Sequence, residues 1–288
     1  MRKPVLLVLS FFLPLSVWAE PQTITIASFN IQIFGVSKMS KPAVVSILTD
    51  IVGRYDLVAV QEVRSLSGEP VERFMALLPP RYSYVLGNRE GRSSSKEQFW
   101  IIYDTEKLTL LDSVTWPDTD DIYERNPLGV YFKTGGEFDF ILIDNHVKPS
   151  DTVQEINALP AVAAYFITLW NDDDVLIVGD LNADGAYYDE NLLIEVFPET
   201  GYTIIITNDY DTTVAESSNT YDRFIITKSA GEYYTGNFGV LRYDELFDFE
   251  ELGLQPKNVS DHFPIWAEFS TGRAGPTPWS APVPDISR

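Results

Sequence analysis

Apolar residues recur along this chain in short, β-branched runs at 23–29, 57–61, 99–103, 138–145, 175–179, 202–207, 224–227 and 263–269. Their length and bounding turn residues predict strands. Three stretches between them carry helical spacing instead. Residues 41–54 follow Ser40, a predicted N-cap, and place Pro42 in the first turn, where its missing N–H costs nothing. Residues 71–78 predict a shorter helix. Residues 152–170 predict the longest, with Val153, Ile156, Leu159 and Val162 near helical spacing and Pro160 expected to kink or interrupt it. Many strands are apolar at nearly every position, so both of their faces must be covered. Some strands are separated by helices and others by short turns. The predicted fold is therefore α/β, two packed mixed sheets with helices outside, rather than one parallel sheet. Residues 271–288 are proline-rich without periodicity and predict a disordered tail. No short repeat is visible.

The strand ends are unusually polar. Asn30 ends the first run, Gln61 and Glu62 the second, Asn145 and His146 another, and Asp180 with Asn182 a fourth, inside GDLNAD. Tyr221 and Asp222 stand just before the run at 224, and Asp261 with His262, in SDHFP, open the last. One Asp or Asn at a strand end is ordinarily a cap or turn residue. Six such ends together predict one polar floor built where strands converge.

Composition narrows the setting. Arg2 and Lys3 precede an apolar run from Val5 to Val17, and Val17 and Ala19 are the small residues expected before a cleavage point. The run is shorter than the roughly 20 apolar residues that span a bilayer. Residues 1–19 are thus predicted to be an export signal, residues 20–270 one catalytic domain, and the mature protein to be secreted or periplasmic, with no membrane association after signal removal. The chain has no cysteine, so core packing rather than disulfides must stabilise it. Its formal charge is −21 (21 basic, 42 acidic residues); losing Arg2 and Lys3 leaves 19 against 42, or −23. That sign argues against a protein that coats nucleic acid non-specifically. It leaves room for an enzyme whose site is locally cationic through bound metal and a few arginines.

The candidate chemistry follows from residue type. The chain has two histidines, His146 and His262, each beside an Asn or Asp at the end of an apolar strand. Imidazole is the side chain best matched to proton transfer near neutral pH. Glu62, Glu97, Asp180, Asp222 and Asp261 offer the oxygen ligands that suit Mg²⁺, Mn²⁺ or Ca²⁺. With no cysteine and two histidines, a closed zinc site is not expected. The competing explanation for each carboxylate is a plain ion pair with Arg64, Arg125 or Arg223.

Eight segments resemble, in order, the endonuclease/exonuclease/phosphatase superfamily, and most closely its deoxyribonuclease I family. They are IASFNIQIFG (26–35), RYDLVAVQEVR (54–64), SKEQFW (95–100), ERNPLGVYF (124–132), DNHVKPSDTVQEINAL (144–159), VGDLNADG (178–185), TYDRFII (220–226) and SDHFPI (260–265). GDLNAD and SDHFP mark the whole superfamily, whereas QEVR and the long segment at 144–159 point to the narrower branch. The resemblance implies a four-layer sandwich with its site at one edge of two packed sheets. It implies an endonuclease that cuts DNA with little sequence specificity and leaves 5′-phosphate ends. Glu62 and Asn30 resemble ligands of an essential Mg²⁺, which Mn²⁺ can replace, with Asp261 nearby. Glu97 resembles the orienting partner of His146, and Asp222 that of His262. The two histidines would share the acid and base roles, while Asp180 and Asn182 orient water and phosphate. Arg125 resembles a phosphate contact, Arg64 an arginine entering the DNA minor groove, and Tyr221 belongs to the substrate-binding set. Such an arginine reads groove width more than sequence.

The sequence departs from that family in places. Ser95 stands where the family has a tyrosine that packs on a sugar. Both family disulfides are missing, with Gly185 and Asn219 at one pair of positions. A calcium loop is partly kept: Asp211 and Thr213 match, Ala215 and Ser217 differ. Structural calcium is accordingly a secondary expectation, and a monomer with DNA as substrate is the expected state. Two alternatives remain open from sequence: a phosphodiesterase of the same fold acting on sphingomyelin or another phosphate ester, and a non-catalytic, toxin-like binding module.

Overall fold

The computed structural model describes residues 22–92 and 95–273. The expected export signal lies outside the described residues, as does the expected tail beyond Arg273. Thr271, the first residue assigned to that tail, is still tied in: its N–H donates to the Gln22 carbonyl (2.7 Å) and its carbonyl accepts from Glu137 N (2.7 Å). Among the described residues no helix is long and apolar enough to cross a membrane.

In chain order the strands are β1 (Thr23–Phe34), β2 (Leu57–Val63), β3 (Tyr82–Leu86), β4 (Gln98–Asp104), β5 (Leu108–Thr115), β6 (Leu128–Thr134), β7 (Asp139–His146), β8 (Val175–Asp180), β9 (Tyr202–Ile204), β10 (Asp222–Thr227), β11 (Tyr234–Val240) and β12 (Ile265–Ser270). The helices that cover them are α1 (Val36–Met39), α2 (Pro42–Val52), α3 (Glu69–Met75) and α4 (Thr152–Trp170). One six-stranded sheet runs β11-β12-β1-β2-β4-β3 and the other β5-β6-β7-β8-β10-β9. Each has one parallel pair at its centre, β1 with β2 and β7 with β8, and antiparallel neighbours on both sides. Parallel neighbours need a crossover. Helix α2 supplies it in the first sheet and α4 in the second, so the two halves share one plan.

Three apolar clusters separate the layers. Between the sheets lie the alternate residues Ile24 and Ile26, Leu57 and Ala59, Phe140 and Leu142, and Leu176 and Val178. Outside the first sheet, Val58 and Val60 pack beneath Val44, Ile47, Leu48, Ile51 and Phe74 of α2 and α3. Outside the second, Ile141, Ile143 and Ile177 pack beneath Ile156, Leu159, Val162 and Phe166 of α4. Both sheets are thus covered on both faces, as the apolar runs require.

Several local expectations change. Ser40 does not cap α2; it ends α1, its Oγ donating to the Ser37 carbonyl (2.8 Å), and Lys41 is the N-cap, with Pro42 in the first turn as predicted. Pro160 does not interrupt α4, which continues to Trp170; the row of buried side chains on the sheet outweighs one lost backbone bond. Val153 is exposed, whereas Ile156, Leu159 and Val162 are buried. The run at 202–207 is a strand only to Ile204, the edge of its sheet. Strands β3, β5, β6 and β11 have no counterpart among the predicted runs, because glycines or alternating polar residues dilute their apolar signal.

Candidate active site

The inward face of each central strand is apolar along the sandwich and polar at one end. On β1 it reads Ile24, Ile26, Ser28, Asn30; on β2 Leu57, Ala59, Gln61; on β7 Phe140, Leu142, Asp144, His146; on β8 Leu176, Val178, Asp180. On β10 it runs in reverse, Asp222, Phe224, Ile226, and Glu97 precedes Phe99 and Ile101 of β4. Because side chains alternate with period two, these polar residues share the space between the sheets, at the edge where the apolar filling stops.

Asp180 is the hub. Its Oδ2 accepts from Asn30 Nδ2 (2.9 Å) and lies 3.5 Å from both His146 Nε2 and His262 Nε2. Its Oδ1 accepts from the Asn182 backbone N–H (3.0 Å), while Asn182 Nδ2 donates to the Val147 carbonyl (2.9 Å). Gly179 makes this position reachable. It sits at φ +132°, and a Cβ there would fall 1.9 Å from the Asn145 carbonyl oxygen, so only glycine lets β7 and β8 close up beside Asp180.

Each imidazole has its own carboxylate. His146 Nδ1 is 2.7 Å from Glu97 Oε1, and His262 Nδ1 is 2.7 Å from Asp222 Oδ2. All four groups are buried. Their surroundings then differ. Arg125 pairs with Glu97 and brings Nη2 to 3.2 Å from His146 Nε2. Burial, and next the Arg125 charge, push His146 down to about 3. Burial pushes His262 down too, but the Asp222 and Asp180 carboxylates outweigh it and hold this imidazole up at about 10. At neutral pH one ring is neutral with an accepting Nε2, the other cationic with a donating one.

The carboxylates near β1 and β2 form a second group. Asn30 Nδ2 also reaches Glu62 Oε1 (3.2 Å), and Arg64 bridges Glu62 (3.0 Å) and Glu97 (3.3 Å). Backbone strain aims these groups. Gln32, Ile33, Glu62 and Asn182 adopt φ of 46°, 52°, 66° and 47°, a region that costs non-glycine residues about 1–3 kcal/mol each. In return Ile33 N–H donates to Glu62 Oε2 and Gln32 N–H to Asn30 Oδ1, both at 3.0 Å.

The sequence-predicted residues therefore converge, with differences of degree. Asp261 is at the rim, half exposed, its Oδ1 3.9 Å from His262 Nε2. The Tyr221 ring lies 6.2 Å from that of His262 and 5.5 Å from Tyr187. Asn145 does not join: it is out of phase with Asp144 and His146, and its Nδ2 turns back to the Ile143 carbonyl (3.4 Å). Arg223 pairs with no site carboxylate and instead donates to the Ile206 and Ala183 carbonyls (3.2 and 2.9 Å). Asp211 Oδ1 accepts from Thr213 N (3.0 Å), Thr213 Oγ1 (3.1 Å) and Asn219 N (3.2 Å), closing a turn whose Thr213 bridges His262.

Two supports escaped the sequence reading. Lys38 is buried, its Nζ donating to the Ile31 and Val259 carbonyls (2.5 and 2.7 Å), and burial brings it down to about 8. Nothing in VSKM marks it. Ser260 Oγ donates to the Asn30 carbonyl (2.6 Å) and accepts from His262 N (3.1 Å), tying the first and last strands together; its place in SDHFP was the available signal.

The donor set around Asn30, Glu62, Asp180, Asp222 and Asp261 is almost all oxygen. Carboxylate oxygens of Asp180 and Asp222 lie within 4.8 Å of each other and of a ring nitrogen of His262; with that ring cationic, the oxygens are the ligand atoms on offer. Such a set fits a hard divalent cation.

Comparison with known proteins identifies the family and the fold. Residues 27–279 match the Endonuclease/Exonuclease/phosphatase family. Human deoxyribonuclease-1-like 2 is 31% identical over 86% of this chain and 92% of its own length, and bovine deoxyribonuclease-1 is 30% identical over 84% and 91%. Among solved structures, zebrafish TDP2 in complex with a single-strand DNA product superposes with a TM-score of 0.63 at 17% identity, covering 86% of this chain and 99% of that one. An endonuclease/exonuclease/phosphatase family protein of Bacteroides thetaiotaomicron gives 0.63 at 16%, covering 87% and 95%. The chain belongs to the Endonuclease/Exonuclease/phosphatase family, on its deoxyribonuclease-1 branch, and is a hydrolase of phosphodiester bonds.

Proposed function

We propose that this protein is an exported, metal-dependent endonuclease that hydrolyses DNA with little sequence specificity and leaves 5′-phosphate ends. The observation that carries the reading is the pair of buried imidazoles, each fixed by its own carboxylate and each presenting Nε2 to the same Asp180 oxygen. Hydrolysis of the P–O3′ bond needs one proton taken from water and one given to the departing O3′.

The environments divide these tasks. His146 Nε2 faces the Arg125 guanidinium, a donor, so it presents a lone pair and takes the proton of the attacking water; Glu97 holds Nδ1–H and stabilises the imidazolium that results. His262 Nε2 faces carboxylates, so it carries a proton and gives it to O3′ as the P–O3′ bond breaks, while Asp222 holds Nδ1–H. Exchange with water restores both rings. Asp180 and Asn182 align the water and the phosphate between them. Arg125 contacts the phosphate, Tyr221 lies along the substrate, and Arg64 reaches into the minor groove. Asn30, Glu62 and Asp261 would hold Mg²⁺, or Mn²⁺ in its place. When bound, that ion neutralises charge gathering on the phosphate oxygens. Asp211 and Thr213 are the candidates for a structural Ca²⁺. DNA is the substrate and the working unit is a monomer, exported by a signal cleaved after Ala19.

The test is direct. Purified protein should nick supercoiled plasmid in Mg²⁺, stop when EDTA is added and resume when Mg²⁺ or Mn²⁺ is restored. Undiminished nicking in EDTA would remove the metal from the mechanism.

A further inference from the structure

Beneath the imidazoles the two sheets are joined by a polar pair that takes no part in the chemistry. Gln61, the last inward residue of β2, donates from Nε2 to Asp144 Oδ1 on β7 (2.6 Å) and to Ser28 Oγ on β1 (3.0 Å). All three residues are fully buried. The in-register neighbours of Asp144 are Leu128 and Val178, both apolar, and among the described residues no cation pairs with it. Two oxygens of the pair, Asp144 Oδ2 and Gln61 Oε1, are buried without any partner.

Counting donors resolves this. Gln61 supplies two N–H groups, and three acceptors, Asp144 Oδ1, Ser28 Oγ and the Ala59 carbonyl (3.3 Å), already share them. Two acceptors remain, on adjoining side chains, with no donor between them. One proton on Asp144 Oδ2 removes the deficit. It converts an unpaired acceptor into a donor for Gln61 Oε1, and the side chains then hold each other by two bonds, as a carboxylic acid does with a primary amide. The same proton removes a charge that would otherwise stand unpaired between apolar sheets. Burial likewise drives the Asp144 carboxyl well above its ordinary value.

We propose that Asp144 is a neutral carboxylic acid that clasps Gln61 across the two sheets, and that this clasp is a positioning device for the active site. Its place gives it that role. Gln61 immediately precedes Glu62, where β2 turns to φ +66° and loses its register with β4. Asp144 stands two residues before His146 on the same face of β7. The clasp therefore fixes the spacing between the strand carrying Glu62 and the strand carrying His146. The apolar filling cannot do this at the polar edge, because side chains there are held by directed bonds rather than by close packing. Asp144 and Gln61 touch no reacting atom in this scheme; they act through their neighbours.

The catalytic half of the proposal rests on the nuclease reading above; the protonation half does not. An infrared difference spectrum, wild type minus Asp144→Asn at neutral pH, should show the carbonyl stretch of a protonated carboxyl. Carboxylate bands in its place overturn the proposal. In plasmid nicking, D144N keeps both bonds as an amide pair and should retain kcat within about threefold, whereas Asp144→Leu, of similar size, should lose about tenfold or more in kcat with KM little changed. Equal loss in both variants, or no loss in D144L, defeats the positioning role. Should D144L not fold, Gln61→Met breaks the clasp from the other sheet and replaces it in the comparison. Wild-type protein that fails to nick DNA would defeat the nuclease assignment and leave the infrared result to decide the clasp alone.

Discussion

Replacing Asp222 by asparagine probes the acid half of the site at its most buried point. Asp222 is fully buried, its Oδ2 2.7 Å from His262 Nδ1, and its Oδ1 has no partner. A charge-assisted bond of this kind is worth about 1.5–3 kcal/mol to the imidazolium. Without it, burial is opposed chiefly by Asp180, and His262 falls toward the neutral form. The amide can also donate to Nδ1 and turn the ring to the wrong tautomer. Loss of a general acid costs roughly 10²–10⁴-fold, so D222N should lose that much kcat. Its melting temperature should stay close to that of wild type, because an amide is cheaper to bury than a carboxylate. His262→Ala should lose a similar amount. The double variant is the discriminating one: if Asp222 works through His262, D222N/H262A loses no more than the worse single change. Initial nicking rates at saturating Mg²⁺, with the Mg²⁺ requirement of each variant measured separately, make the comparison. Full activity in D222N, or losses that multiply in the double variant, would refute the reasoning.

Other outcomes follow from single observations. Arg64 is about a third exposed and bridges Glu62 and Glu97. Arg64→Ala should raise KM for plasmid by roughly tenfold, a loss of about 1.4 kcal/mol in binding, with kcat less affected; an unchanged KM would remove it from the DNA contact. Asp174 is pushed up to about 7, first by burial and then by Asp172. Its acid form is favoured by folding, so its contribution to stability is complete below about pH 4 and is lost as pH rises through 7. Asp174→Asn should therefore raise the melting temperature by a few degrees near pH 8 and leave it unchanged near pH 4; a gain that is the same at both pH values would show that the carboxyl is not responsible.

How far the sequence could be read depended on where the signal was local. Runs such as LVAV at the start of β2 and VLIV at the start of β8 are apolar at every position because helices and the opposite sheet cover them, and they mark central strands without ambiguity. Edge and near-edge strands such as YTGNFGV, half exposed and glycine-bearing, carry no such mark. The polar strand ends gave away the floor of the site, and His146, His262 and their carboxylates meet on it. What the runs did not reveal was phase. Asn145 and His146 read as one polar end, yet alternation sends them to opposite faces, while Asp144, two residues before His146 and hidden inside the run, faces the site's foundations. Lys38 was illegible for another reason: its two carbonyl partners, on Ile31 and Val259, come from opposite ends of the chain and exist only once the fold is closed.

The acidic composition and the substrate are reconciled at the same place. Glu62, Glu97, Asp180, Asp222 and Asp261 face Arg64, Arg125 and a cationic His262, and the two arginines are already spent on Glu62 and Glu97. Lys38, its ammonium directed at backbone carbonyls, offsets part of this negative charge through its attraction to Asp261 and Glu62. A phosphate approaching this floor meets a surplus of carboxylate, which close range and burial make more repulsive than the overall charge of −21. On the proposed assignment, a divalent ion held by Asn30, Glu62 and Asp261 would reverse the local sign and would free Arg64 to swing from Glu62 toward the duplex. Metal dependence and DNA affinity are then one property: the protein should lose its grip on DNA, and not only its turnover, when the ion is removed.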